Sequence, residues 1–183
     1  MFRLSSVLLS LFLAQAASAY DATGNITQAL TVGHWKIVEI AALTQIMYRL
    51  ASESTNEKNT TLAFDFLPAN DCAPTSAVMI VHLKAYSPVF DGGVTLLAYK
   101  APGQSDSMEL TKSTMQKGDT FAFFVFERLT ASMLTKSRDE GNLAIWIPPS
   151  GDGKIKRSPN SYFPLEGFSR AAFKAEKSCK DNR

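Results

Sequence analysis

Apolar runs of roughly four to eight residues, rich in Val, Ile, Leu, Phe and Tyr, recur along the chain between clusters of Gly, Pro, Asn, Asp and Ser. Successive side chains of a strand point to opposite faces, so alternation within each run can be read as a two-sided pattern. "HWKIVEI" opens the series. In "QIMYRLASE", Ile46, Tyr48 and Leu50 fall on one face and Met47, Arg49 and Ala51 on the other. "TLAFDFL" gathers Leu62, Phe64 and Phe66 and leaves Asp65 opposite. "AVMIVHLKA" gathers Met79, Val81 and Leu83, with His82 and Lys84 on the reverse. "VTLLAYK", "NLAIWIP" and "YFPLEG" continue the pattern. "MELTK" reads as a short edge strand, and "TFAFFVFE", apolar on both faces, as a central strand covered on both sides. Many short strands with turn signals between them predict an antiparallel β-sandwich.

Two stretches break the period of two. "LTASMLTKSRDEG" spaces Leu129, Met133, Leu134 and Lys136 as a short helix would, with Gly141 as its C-terminal cap. "GFSRAAFKAEKSC" repeats Phe168, Ala171, Ala172 and Ala175 on one side and Arg170, Lys174 and Lys177 on the other, with Phe173 and Glu176 at the border. That spacing predicts about two turns of amphipathic helix. So short a helix is marginal alone, and burying Phe168, worth roughly 1.5 to 3 kcal/mol, would dock it on the sheets.

The first residues change the compartment. "MFRLSSVLLSLFLAQAASA" joins Arg3, an apolar segment and the small residues Ala17 and Ala19, the pattern of an export signal cleaved after Ala19. The alternative is an uncleaved anchor. Residues 20–183 are expected to form a single domain, periplasmic or secreted, since no later segment approaches the roughly 20 apolar residues that span a bilayer.

Lys and Arg number 19 against 17 Asp and Glu, a near balance that argues against an electrostatic nucleic-acid binder. The basic residues near the C-terminus, from Lys154 to Arg183, read as a solvated face. The two cysteines, Cys72 and Cys179, most simply form one disulfide in an oxidising compartment; two free buried thiols are the alternative. A bond closing a loop of about 100 residues is worth up to about 4.7 kcal/mol in the chain-entropy model. With only two histidines, no zinc-ligand spacing arises, and no metal or cofactor is expected.

"ASMLTKSRDEGNLAIWIPPSGDGK" followed by "YFPLEGFSRAAF" resembles the closing pattern of the invasion-associated locus B family of exported bacterial proteins. The likeness rests on Leu165, Gly167, Phe168, Ala171 and Ala172 and the strand before them, and "GHWKIV" is similar to that family's Trp-containing first strand. It covers the C-terminal third. Family members often carry more cysteines, and "DSMELTKSTMQKGDTFAFF" departs from their middle region. The resemblance implies a small exported β-sandwich, linked through the family name to host-cell invasion, and it implies no catalytic residues.

Candidate chemistry is sparse. His34 could join Glu39 or Asp65, and His82 could act likewise, but a lone histidine on a strand is more often structural. No serine-hydrolase elbow occurs. Asp71 and Asp91 fall in turns, where aspartate bonds the backbone. "GDGK" at 151–154 lacks full phosphate-loop spacing and reads as a hairpin turn. Asn25 and Asn59 satisfy the glycosylation sequon, which matters only in a eukaryotic secretory pathway. Trp35 and Trp146 are core residues before they are binding aromatics.

These readings converge on a non-catalytic envelope-associated or secreted protein that binds a protein partner in the envelope or host. A small-ligand carrier, an enzyme inhibitor and a hydrolase with an unrecognised site are the alternatives. A binding module predicts an exposed aromatic patch. A carrier predicts an apolar cavity lined by Phe121 or Phe124. An enzyme predicts a cleft where His34 or His82 reaches a carboxylate or hydroxyl.

Overall fold

Among the described residues, ten antiparallel strands hydrogen-bond into one sheet, in the order β1-β2-β3-β4-β5-β8-β7-β6-β9-β10. A computed structural model of the chain describes residues 26–41, 46–115, 120–146 and 161–182. The strands are β1 (Ile26–Val32), β2 (Trp35–Ala41), β3 (Ile46–Glu53), β4 (Thr60–Phe66), β5 (Val78–His82), β6 (Val94–Lys100), β7 (Ser107–Thr114), β8 (Phe121–Val125), β9 (Asn142–Trp146) and β10 (Ser161–Pro164). The helices are α1 (Ala131–Thr135) and α2 (Phe168–Asp181). The export signal, Asn25 and "GDGK" lie outside the described residues.

The sheet folds over so that its two halves share one core. Residues from β2 to β5, from β6 and from β8 to β10 fall in a single buried apolar cluster. The end strand β10 also reaches the turn after β3: Thr55 N–H donates to the Tyr162 carbonyl at 2.9 Å, and Tyr162 N–H donates to Asn56 Oδ1 at 3.0 Å. The alternating faces read from β4 hold, with Leu62, Phe64 and Phe66 wholly buried inward. Asp65 on the reverse is buried too, in a bidentate pair with Arg49 on β3, at 2.7 and 2.8 Å.

Helix α2 closes one side of this core. Phe168 packs edge-on against Trp35, ring centroids 4.8 Å apart, and against Phe64 at 5.6 Å, while Trp35 Nε1 donates to the Pro164 carbonyl at 2.9 Å. Ala171, Ala172 and Ala175 let the helix axis approach the strands, and Arg170, Lys174 and Lys177 face solvent. Gly167, just before the helix, has φ +79°, and a Cβ there would sit 3.0 Å from the Val32 carbonyl oxygen. Gly33 meets the same contact from the other side, since its Cβ would lie 2.5 Å from the Glu166 carbonyl oxygen. Two glycines therefore let the β1–β2 turn and the helix entry touch backbone to backbone.

The far end of α2 is tied by the Cys72–Cys179 disulfide, with Cα atoms 5.8 Å apart and a sequence separation of 107. Asn182 also donates to the Tyr48 hydroxyl, which donates to Glu39 at 2.8 Å. Burial and the Glu39 carboxylate push the Tyr48 hydroxyl up to about 12, so it remains a donor at every physiological pH.

Three expectations change, and one strand was not foreseen. The C-terminal helix has 14 residues instead of about two turns, because the disulfide and Asn182 carry it past the point where alanine burial ends. Helix α1 stops at Thr135 with Lys136 as its cap, and Gly141 serves instead as the left-handed entry to β9. Strand β7 is interior, flanked by β6 and β8, where an edge strand was expected. The edge opposite β10 belongs to β1, which the sequence pattern did not single out.

Candidate functional site

Strand β7 is turned inside out. Its polar residues Glu109, Thr111 and Ser113 are buried, while Met108 and Leu110 on the other face are 61% and 66% exposed. A one-residue change of register would reverse this, so the orientation must be held against its own hydrophobic preference. Several bonds hold it. Both Glu109 oxygens accept backbone N–H groups, from Glu127 at 3.1 Å and Arg128 at 2.9 Å. The Ser113 hydroxyl donates to the Gly93 carbonyl at 3.2 Å, and Ser113 N–H donates to the same oxygen at 2.9 Å. Burial raises the Glu109 carboxyl above the usual carboxylate range, with the two backbone donors pulling it back. The Thr111 hydroxyl is buried with no hydrogen-bond partner, a further cost of this orientation.

The neighbouring strand completes an apolar face. Leu96 of β6 pairs with Leu110, Ala98 with Met108 and Val94 with Lys112, placing Val94 (63% exposed) and Leu96 (40%) beside the β7 residues. Ala98 also pairs with Trp146 of β9, so that half-buried indole borders the same face. The face is mainly aliphatic, where an aromatic patch was expected. Lys112 lies at one end, and the Lys100–Asp106 ion pair, 2.9 Å, at the other. The pattern of "MELTK" suits an edge strand and so conceals this face. The available signal was that β6 is apolar at both parities while β7 offers polar groups at one.

The other singled-out residues occupy structural positions. His34, in the β1–β2 turn, lies 3.7 Å from Glu166, with both side chains largely exposed. Glu39 and Asp65 are engaged by Tyr48 and Arg49. His82 stacks on Phe121, centroids 4.7 Å apart, beside a shallow depression of about 180 Å³ lined also by Lys58, Asn59, Thr61 and Ile80. That volume is below the roughly 300 Å³ at which ligand pockets begin, and its lining is largely polar. Phe124 is buried edge-on against Phe90. Asp71 caps a 3-10 turn beside Cys72, and Asp91 accepts from the Tyr86 hydroxyl at 2.7 Å. Asn59 is exposed in the turn after β3, its carbonyl accepting His82 N–H at 2.7 Å. Trp35 is wholly buried. Leu165, Phe168, Ala171 and Ala172 are buried, and Gly167 makes the close approach described above. Among the described residues no group of three or more His, Cys, Asp or Glu could hold a metal ion, and no helix is long and apolar enough to cross a membrane.

The architecture is similar to that in the crystal structure of invasion associated protein B from Bartonella henselae. The two match with a TM-score of 0.56 over 86% of this chain and 100% of that one, at 14% sequence identity. At that identity the likeness is one of fold. No family model matches the chain, and no curated protein matches it.

Proposed function

We propose that this is an exported, non-catalytic binding protein that presents the Val94, Leu96, Met108 and Leu110 face to a protein partner outside the cytoplasm. The inside-out orientation of β7 carries the reading. Burying Glu109, Thr111 and Ser113 while leaving two large aliphatic side chains in water sacrifices folding stability, and contiguous exposed apolar surface of that kind is characteristic of interaction sites. The disulfide favours an oxidising compartment. The fold shared with a protein named for its association with invasion favours envelope or host contact. The engaged state of Glu39, Asp65, Asp91 and Glu109 favours a non-catalytic role, because each carboxylate already serves a structural bond.

The test compares the native protein with a Leu96→Lys/Leu110→Lys variant in affinity capture from the envelope fraction and from host-cell lysate. Both substitutions point to solvent, so thermal unfolding should be little changed. Proteins retained by the native chain and lost by the variant support the face as the binding site. Equal retention by both, or none by either, rejects it.

A further inference from the structure

The sheet's two edges are treated differently. At β10 the short edge contains Pro164 and is bonded by Thr55 and Asn56, so it cannot accept another strand. At β1 nothing comparable occurs: among the described residues it pairs only with β2, and its sequence "ITQALTV" has no charge and no proline. Gln28, Ala29, Leu30 and Thr31 are all exposed, with Leu30 at 48%. Natural edge strands are ordinarily blunted by charge, proline or a covering segment.

We infer that β1 is a self-association edge, at which a second copy of this chain adds its own β1 antiparallel to form a sheet continuous across a two-fold axis. The turn fixes which groups are available. Val32 and Trp35 flank the two-residue turn Gly33–His34 and form its closing hydrogen-bonded pair, so Leu30 also bonds inward, to Ile37. Ala29 and Thr31 consequently turn their N–H and C=O groups to the open edge. A two-fold axis at Leu30 sets Ala29 of each copy against Thr31 of the other, and Leu30 against itself. The match avoids the irregularity between Ile26 and Gln28.

Charge selects this occupant, and area sets how tightly it binds. The uncharged strand offers nothing to an ionic peptide, and two copies meet without like-charge repulsion. Side-chain pockets give foreign strands their specificity, and residues 28–31, exposed on both faces, offer little of that kind. Five paired residues bury well under the roughly 800 Å² per partner of a tight complex, so the dimer is concentration-dependent. This surface is separate from the β6–β7 face and does not rest on the partner reading.

Sedimentation equilibrium of the protein purified from an exporting host, run from micromolar to millimolar, should show the mass rising toward twice the monomer. Over the same range the amides of Ala29 and Thr31 should gain protection from hydrogen exchange while that of Leu30, already bonded, does not. Thr31→Pro removes an outward N–H without breaking a β1–β2 bond and should hold the protein monomeric. Leu110→Lys should leave the dimer intact. A monomer throughout, unchanged exchange at Ala29 and Thr31, a dimer that survives Thr31→Pro, or one abolished by Leu110→Lys would each overturn the inference.

Discussion

Asp139 accepts hydrogen bonds from both the backbone N–H and the hydroxyl of Ser169, at 2.8 and 2.6 Å, and so caps a helix that begins 29 residues later in the chain. The helix needs this remote acceptor because its own N-cap position is Gly167, which has no side chain to bond the free N–H groups. Arg138 and Asp139 both adopt left-handed φ, 56° and 61°, to aim the carboxylate. Asp139→Ala should lower stability by about 1 to 2 kcal/mol, while Asp139→Asn, which tolerates that backbone and keeps an acceptor, should lose less. Chemical denaturation of the three proteins checks the order. Equal stability of the alanine variant would show the cap to be idle.

Removing the tether acts at the opposite end of α2. Cys179→Ser, with Cys72→Ser to avoid a stray thiol, should cost about 2 to 5 kcal/mol, since the partners stand 107 positions apart in the chain. The last turn should fray before the rest, because Ala175 is the last apolar residue buried ahead of Cys179. Hydrogen exchange at residues 176–181 should accelerate in the double serine variant more than at 168–172. Uniform acceleration along the helix would contradict a local anchoring role.

The two phenylalanines of α2 should behave oppositely. Phe168→Ala opens a cavity between Trp35 and Phe64 and should cost about 3 to 5 kcal/mol. Phe173, 67% exposed, should tolerate alanine within about 0.5 kcal/mol. Urea midpoints of the two variants give the comparison directly.

Glu109 supplies a pH dependence with a defined sign. Its folded value lies above the ordinary 4.5, chiefly from burial, so the folded chain holds the proton more tightly than the unfolded chain does. The associated stability is fully present below pH 4.5 and is lost as pH rises through the raised value. Glu109→Gln carries no such loss, so its stability relative to the native protein should improve from pH 4 to pH 8. Urea unfolding at both pH values measures the difference, and a flat difference would remove Glu109 from the account.

Much of this fold was legible because it obeys simple periods. Leu62, Phe64 and Phe66 declare an inward face, and Phe168, Ala171, Ala172 and Ala175 declare a helix stripe, since each set buries apolar area on one side. The pairing of Cys72 with Cys179 followed from their being two in number. Strand β7 defeated the same logic. Glu109, Thr111 and Ser113 look outward by polarity, yet bonds from Glu127 and Arg128 to Glu109 and from Ser113 to Gly93, all distant in sequence, hold the strand with that face inside. The candidate binding face was hidden by that tertiary override. Gly141 misled for a related reason: a glycine after a helical pattern suits a C-cap, but Arg138 and Asp139 had already made the left-handed turn in order to reach Ser169.

The aromatic seat under Phe168 is assembled from Trp35 and Phe64, on strands β2 and β4, whereas its lid, α2, comes much later in the chain. As the polypeptide emerges, β2 and β4 therefore present an open greasy notch until α2 follows to fill it. A ribosome that stops short of Gly167 releases a product whose flaw lies far upstream of the truncation, at Trp35, and it is there that a chaperone or a neighbouring unfinished chain would take hold.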